Sequence, residues 1–243
     1  MKNRHPAIWQ SRILFVLIFV LQPIPTCPQE MPDFGPDGLA GLTLEQQEKL
    51  SWGKIILPES VVMTPEGKTL IEAALVFDKS PEEVWELLSK TEDQVKYLSN
   101  IKEATVIFQG PTENNIEFKV KILVKTFIYR QIHRFDKKNL YFYWTLDPAF
   151  RSDLKELNGF WRFYPFGSGK TLGRYGSRLL LRFFVPDSIQ TALTRGELPK
   201  ALQSVREYVN SGGAKTRPDL AELSLSFFRP VPTKYLFPGD WHD

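Results

Sequence analysis

NGFWRFYPFGSGKTLGRYGSRLLLRFFV, residues 158–185, is the stretch that decides the fold. Both halves alternate apolar and polar side chains, which is typical of strands, and the glycines of 167–169 between them are typical of a tight turn. The turn also contains Gly-Lys-Thr at 169–171, the ending of a phosphate-binding loop. That loop needs a glycine where this chain has Tyr164, and a helix after the threonine. The stretch therefore predicts a β-hairpin and not a nucleotide site.

More strands precede the hairpin. Alternating side chains and short turns predict strands at 69–77, 104–109, 116–123, 125–135 and 140–146. The hairpin adds strands at 155–166 and 170–185, so the chain has about seven. All but the first follow one another with short turns, which predicts an antiparallel meander.

Short helices are predicted before and after the first strand. Ser80 is a suitable helix cap, Pro81 suits the first helical position, and Glu83 completes a capping box. A second short helix follows over 92–98. Upstream, Thr43 caps a further short helix over 43–50.

One long helix is predicted after the hairpin. It starts near Ser188 and runs to about residue 209, and its apolar side includes Leu193 and Leu202. Gly196 and Pro199 are expected to bend it.

The N-terminus has the composition of an export signal. Residues 1–12 are basic and lack acids, and 13–21 form an unbroken apolar run. Nine residues span roughly 14 Å as a helix, about half of the hydrocarbon thickness of a bilayer. We therefore expect a protein exported to the periplasm or secreted, with an uncleaved membrane anchor as the open alternative. Removal of the segment beyond Cys27 leaves no cysteine for a disulfide or a thiolate metal site.

These signals divide the chain into four parts. They are a signal peptide or anchor at 1–29, a linker with a short helix at 30–51, one folded domain at 52–212 and a proline-rich tail at 213–243.

The charge balance argues against a dedicated nucleic-acid binder. The formal net charge is only +3, whereas such proteins usually carry a strong basic patch. Alternation places six arginines on the outer face of the sheet, at positions 130, 134, 162, 174, 178 and 182. They either pair with carboxylates as solvated residues or dock on an anionic membrane surface.

The inner face of the sheet combines apolar and polar side chains. Alternation points Phe118, Val120, Trp161 and Phe163 inward, together with the polar set Tyr129, Gln131, His133, Tyr175 and Ser177. An unpaired buried polar group costs about 1–3 kcal/mol, so a dry core has little place for five of them. They predict a small-molecule pocket, unless they pair with one another or lie at the wet rim of the sheet.

His133 is the only histidine of the predicted domain. It is interpreted either as a structural histidine held by hydrogen bonds, the reading favoured here, or as a general acid or base. One histidine without cysteine does not supply the usual ligands of zinc, so we expect no metal and no cofactor.

Three segments in this order resemble the helix-grip superfamily of START domains, pollen-allergen proteins and polyketide cyclases. They are DKSPEEVWELLSKTEDQVKYLSNI (78–101), NGFWRFYPFGSGKTLGRY (158–175) and RGELPKALQSVREYV (195–209). The resemblance covers roughly 69–210. It implies an α+β fold in which a curved antiparallel sheet wraps around the long C-terminal helix, with an apolar pocket between them. It also implies ligands of the lipid, sterol or hopanoid, isoprenoid-quinone or polyketide type.

Three functions remain open on this basis. The first is binding or transfer of a hydrophobic small molecule by a monomer, without catalysis. The second is a cyclase or aromatase with His133 or Tyr129 as proton donor, and the third is an interaction module that acts through the aromatic tail. The expected ligand-binding residues are Phe118, Val120, Tyr129, Gln131, His133, Trp161, Phe163, Tyr175, Ser177, Leu193 and Leu202.

Overall fold

The computed structural model describes residues 31–57, 62–63, 69–122, 125–182 and 196–217. Several predictions lie outside these residues: the signal or anchor at 1–29, the start of the long helix with Leu193, and the tail beyond 217. Within the described ranges, no helix is long and apolar enough to cross a membrane.

Eight strands form one antiparallel sheet. They are β1 (Val62–Met63), β2 (Thr69–Phe77), β3 (Ile101–Gln109), β4 (Glu113–Ile122), β5 (Lys125–Asp136), β6 (Tyr141–Leu146), β7 (Leu154–Phe166) and β8 (Lys170–Leu181). Their order across the sheet is β1-β2-β8-β7-β6-β5-β4-β3. The predicted meander from β3 to β8 is therefore confirmed, and the first long strand pairs with the last.

The predicted hairpin is formed by β7 and β8. Phe166 pairs with Lys170, and the turn between them places Gly167 and Gly169 at positive φ, 57° and 69°. Only glycine adopts such angles without steric cost. No helix follows this turn, so the structure confirms a hairpin here instead of a phosphate-binding loop.

Four helices accompany the sheet in the part of the chain that the structure describes. They are α1 (Leu44–Ser51), α2 (Pro81–Leu88), α3 (Gln94–Tyr97), which follows a single 3₁₀ turn at Thr91–Asp93, and α4 (Leu198–Asn210). Thr43 and Ser80 cap α1 and α2 with complete capping boxes, as the sequence predicts. Pro199 lies in the first turn of α4, where no intrahelical N–H is needed. The bend expected at Gly196 and Pro199 involves the start of the predicted helix, which lies outside the described residues.

The concave face of the sheet packs on α2 and α4. Leu202, Val205 and Val209 of α4 share one apolar core with Leu75 and Phe77 of β2. Near the C-terminus of α4, the ring of Tyr208 stacks on Tyr97 with 4.4 Å between ring centres. The hydroxyl of Tyr208 donates to Asp93 at 3.0 Å. These contacts fix α4 against α3 and across the sheet.

The convex face is covered by residues 31–57, most of which the sequence assigned to a linker at 30–51. Phe34, Leu50 and Ile56 pack in a second core against β2, β6, β7 and β8. Ile56 also exchanges backbone hydrogen bonds with Ala74, at 2.8 and 3.0 Å. Residues 31–57 are therefore part of the folded unit, whereas the sequence placed 30–51 in a linker and started the domain at residue 52. The error arose because their apolar side chains are too widely spaced to show a periodic pattern.

Arg174 is the clearest departure from the predicted outer arginine stripe. Its side chain is only 4% exposed, and its guanidinium carbon lies 3.9 Å from the ring centre of Phe34. It donates hydrogen bonds to the backbone oxygens of Gly38 and Ala40 at 2.8 and 3.1 Å. Arg162 likewise donates to the oxygen of Pro32. Both arginines hold the covering segment in place instead of facing solvent.

Three other arginines of the stripe also have partners. Arg182 donates to the backbone oxygen of Ser152 at 2.8 Å. The ion pairs are Arg130–Glu117 at 3.0 Å, Arg130–Asp147 at 3.7 Å and Arg134–Glu113 at 2.9 Å. These pairs support the interpretation in which the stripe pairs with carboxylates, since they leave fewer free cations for a membrane surface.

We predict that Arg174→Ala destabilises the fold by about 2–4 kcal/mol, because it removes two hydrogen bonds from a buried charged group and its contact with Phe34. Arg178→Ala, four residues later on the same face of β8, is the control and should change stability by less than about 0.5 kcal/mol. Equilibrium urea unfolding measures both. Equal effects of the two substitutions would contradict a specific role of Arg174.

Candidate functional site

A partly open cavity of about 180 Å³ lies between the concave face of the sheet and α4. Trp144 of β6 and Trp161 of β7 line its middle. On either side, Tyr129 and Gln131 of β5 face it, as do Tyr175 and Ser177 of β8. The cavity is thus bounded by four consecutive strands of the sheet.

The rest of the lining comes from Phe142 of β6, Leu157 of β7, the helices and the segment from α3 to the first residue of β3. Leu198, Ala201, Leu202 and Val205 of α4 form one side. Another side is formed by Leu88, Gln94, Tyr97, Leu98, Asn100 and Ile101. The helix that grips the sheet therefore also encloses the cavity.

Strand geometry explains why these polar side chains converge. Tyr129 and Gln131 are two residues apart, and so are Tyr175 and Ser177, so each pair points to the same face of its strand. Between them, the indole of Trp144 lies against Gly159 of β7. A Cβ at that position would come within 2.2 Å of Trp144 Cζ2, so the glycine makes room for the ring.

The polar groups of the cavity are only partly satisfied. The hydroxyl of Ser177 favours the ionised form of Tyr175 and opposes the rise in pKa that burial causes. The hydroxyl of Tyr129 and the side-chain amide of Gln131 have no hydrogen-bond partner among the residues that the structure describes. Both side chains therefore present free donors and acceptors to the cavity.

The cavity is electrically neutral in its described lining, which contains no acidic, basic or histidine side chain. Burial raises the pKa of Tyr129, and the nearby Tyr175 raises it further. Burial also raises the pKa of Tyr97 and of Tyr175. These hydroxyls remain protonated throughout the physiological pH range. In the described ranges, no three His, Cys, Asp or Glu side chains are grouped to hold a metal ion.

The structure brings six of the predicted site residues to the cavity: Tyr129, Gln131, Trp161, Tyr175, Ser177 and Leu202. Three others face inward but lie in closed packing. Phe118 and Val120 belong to a separate core with Ile116, and Phe163 packs between Phe77 and Phe142. Leu193 lies outside the described residues.

His133 does not line the cavity either. It is 0% exposed, and its ring centre lies 6.0 Å from Trp144, 6.3 Å from Phe118 and 6.4 Å from Phe135. Neither ring nitrogen has a hydrogen-bond partner within the described part of the chain. Burial lowers the pKa of His133 to about 3. The expected hydrogen-bonded histidine is instead a neutral ring in an aromatic cluster.

Sequence reasoning missed Tyr97, Leu98 and Ala201, and left Trp144 ambiguous because both faces of β6 are aromatic. The signal that resolves Trp144 is Gly159, a glycine in the partner strand where a large ring needs space. No periodic pattern marks the other three, since their place at the cavity depends on how α3 and α4 pack.

Neither a family model nor a curated relative matches the sequence. Solved structures do match. TTHA0849 from Thermus thermophilus is 18% identical, with a TM-score of 0.50 over 60% of this chain and 99% of that one. A START superfamily protein from Mycobacterium smegmatis is 14% identical, with a TM-score of 0.50 over 58% and 97%. The Zhui aromatase/cyclase from a Streptomyces species is 14% identical, with a TM-score of 0.44 over 60% and 88%.

The first two matches span nearly the whole of the compared chains, and at these identities they bear on the fold alone. The described residues therefore adopt the α+β helix-grip fold of START-like proteins, with a curved antiparallel sheet around a C-terminal helix.

Proposed function

We propose that this protein binds a hydrophobic small molecule in the cavity between the sheet and α4, and carries or presents it without chemical change. The observation that supports this most strongly is the lining itself. It is mostly apolar and aromatic, yet Tyr129 and Gln131 face it with polar groups that have no partner among the described residues. Ligand sites combine an apolar surface with a few such groups, whereas a closed core pairs them.

Catalysis by the two expected proton donors is less well supported. A general acid or base acts best with a pKa near the working pH. His133 lies behind Trp144 with a pKa of about 3, and burial moves the pKa of Tyr129 upward, away from neutrality. Tyr129 therefore fits a hydrogen-bonding role better than proton transfer.

The proposal includes export. A basic stretch at 1–12 followed by the apolar run at 13–21 is typical of a secretory signal. N-terminal sequencing of the chain from separated cell fractions tests this point. Recovery of the intact N-terminus only in the cytosol would contradict export.

We predict that Ala201→Trp abolishes binding, because an indole at this position of α4 occupies the cavity. The measurement is the shift in melting temperature with a library of hydrophobic compounds, together with mass spectrometry of organic extracts of the purified protein. A bound ligand at a hundred times its Kd should stabilise the wild type by about 2.7 kcal/mol.

Lys200→Trp is the matched control, since position 200 lies on the exposed side of the same helix. It should bind like the wild type. If Ala201→Trp is folded and still binds, the ligand lies elsewhere. If the wild type carries no extractable compound and responds to none of the library, the proposed function is wrong.

We predict that His133→Phe stabilises the fold, by about 1–3 kcal/mol at pH 7, because it removes unpartnered buried nitrogens. The gain should grow in acid. The unfolded chain takes up a proton on His133 below about pH 6.5, but the folded state does so only near pH 3. The wild type therefore loses up to about 1.4 kcal/mol per pH unit as the pH falls through this window, and the variant does not.

Urea unfolding of both proteins between pH 7 and pH 4 measures the difference. His133→Leu is a second variant, in case the larger phenyl ring strains the cluster. If the difference in unfolding free energy between the two proteins does not change with pH, His133 has the same pKa in the folded and the unfolded state. In that case an acid–base role would regain support.

A further inference from the structure

The described lining of the cavity offers no partner for a charged ligand. It contains only apolar, hydroxyl and amide side chains. An ion transferred into such surroundings without a counter-charge loses far more hydration free energy than neutral hydrogen bonds restore. A free carboxylate or a phosphate headgroup is therefore disfavoured inside.

The aromatic side chains of the lining favour a flat ring over a saturated chain as the ligand. The rings of Trp161 and Tyr175 lie 4.9 Å apart between centres, and those of Trp144 and Tyr175 lie 6.0 Å apart. Together they present a fixed aromatic surface on the sheet side. Aromatic faces and edges gain about 0.5–1.5 kcal/mol from another aromatic ring beyond the burial of its area, which a saturated chain does not obtain.

The size of the cavity limits the number of rings. An apolar cavity of about 150 Å³ holds one benzene molecule. A cavity of about 180 Å³ leaves room for one ring or two fused rings. The four fused rings of a sterol or hopanoid exceed this space, so part of them would lie outside the cavity, in its open mouth.

The free polar groups select a ligand with a hydroxyl or carbonyl group. Tyr129 and Gln131 stand on β5 without side-chain partners among the described residues, and Tyr175 lies close enough to Tyr129 to raise its pKa. A hydroxyl or carbonyl oxygen of a ligand at this place completes the hydrogen bonds of both β5 side chains. An unsubstituted ring leaves them unsatisfied.

We infer that the ligand is an uncharged, flat compound of one or two rings with a hydroxyl or carbonyl group, such as a phenol or a quinone head, and that Tyr129 and Gln131 recognise its oxygen. This inference rests on the proposed function, since it names the chemical class that the same cavity selects. It excludes fatty acyl chains, sterols and anionic lipids as the preferred ligands of the cavity.

Four probes test the class: naphthol, naphthalene, naphthoate and decanol. Naphthol, naphthalene and decanol are similar in size and differ in shape and polarity, and naphthoate adds a charge to the same rings. Isothermal titration at neutral pH should rank naphthol first. Naphthalene should bind roughly three- to tenfold more weakly, because it lacks the hydrogen bond. Decanol and naphthoate should bind at least tenfold more weakly than naphthol.

Tyr129→Phe tests the recognition of oxygen. It should weaken the binding of naphthol by roughly three- to tenfold and leave the affinity for naphthalene unchanged, since only the hydroxyl is removed. Tyr143→Phe makes the same change on the outer face of β6, in contact with Tyr141, and should alter neither affinity. Equal losses for naphthol and naphthalene would show a change of packing and contradict the inference.

The outcomes separate the inference from the proposed function. If decanol or naphthoate binds as tightly as naphthol, the ligand class is wrong while a hydrophobic binding site remains. If no probe binds and the wider library also gives no shift, the proposed function itself fails. Naphthol binding that survives Ala201→Trp would place the probe outside the cavity and overturn the inference.

Discussion

The burial of both faces of the β7–β8 hairpin is the constraint on which the rest of the structure depends. Phe160 and Tyr164 point to the convex side, and Trp161 and Phe163 point to the concave side, so neither side of β7 tolerates water. A sheet of this kind needs a cover on each face. Residues 31–57 cover one face and α4 covers the other, and the cavity of the candidate site lies under the second cover.

This difference between the two faces has a physical origin. On the convex face, backbone atoms of the covering segment approach the sheet closely enough to accept hydrogen bonds from Arg174, which closes the packing around a charged group. On the concave face, α4 presents the small side chain of Ala201, and the sheet presents the large rings of Trp144 and Trp161. Large rigid rings opposite a small residue leave space that neighbouring side chains cannot fill without strain.

The sequence predicts the sheet well because its information is local. Alternation along β4, β5 and β8 identifies the inward residues, and the capping boxes at Thr43 and Ser80 mark where two helices begin. It does not predict the cover over the convex face, since Phe34 and Arg174 are 140 residues apart and neither lies in a revealing pattern. Nor does alternation distinguish Gln131, which faces the cavity, from His133, two residues later on the same face. That difference depends on which side of Trp144 each side chain lies.

The two kinds of unsatisfied polar group in this protein therefore carry different information. Tyr129 and Gln131 face open space, so a bound molecule can complete their hydrogen bonds and offset the cost of burying them. His133 is enclosed by aromatic rings, so only a rearrangement of Trp144 or Phe118 gives a ligand access to it. An unpartnered buried group indicates a site when it adjoins a cavity. Where it adjoins no cavity, as at His133, it destabilises the fold, and the packing of the surrounding aromatic side chains has to offset this loss.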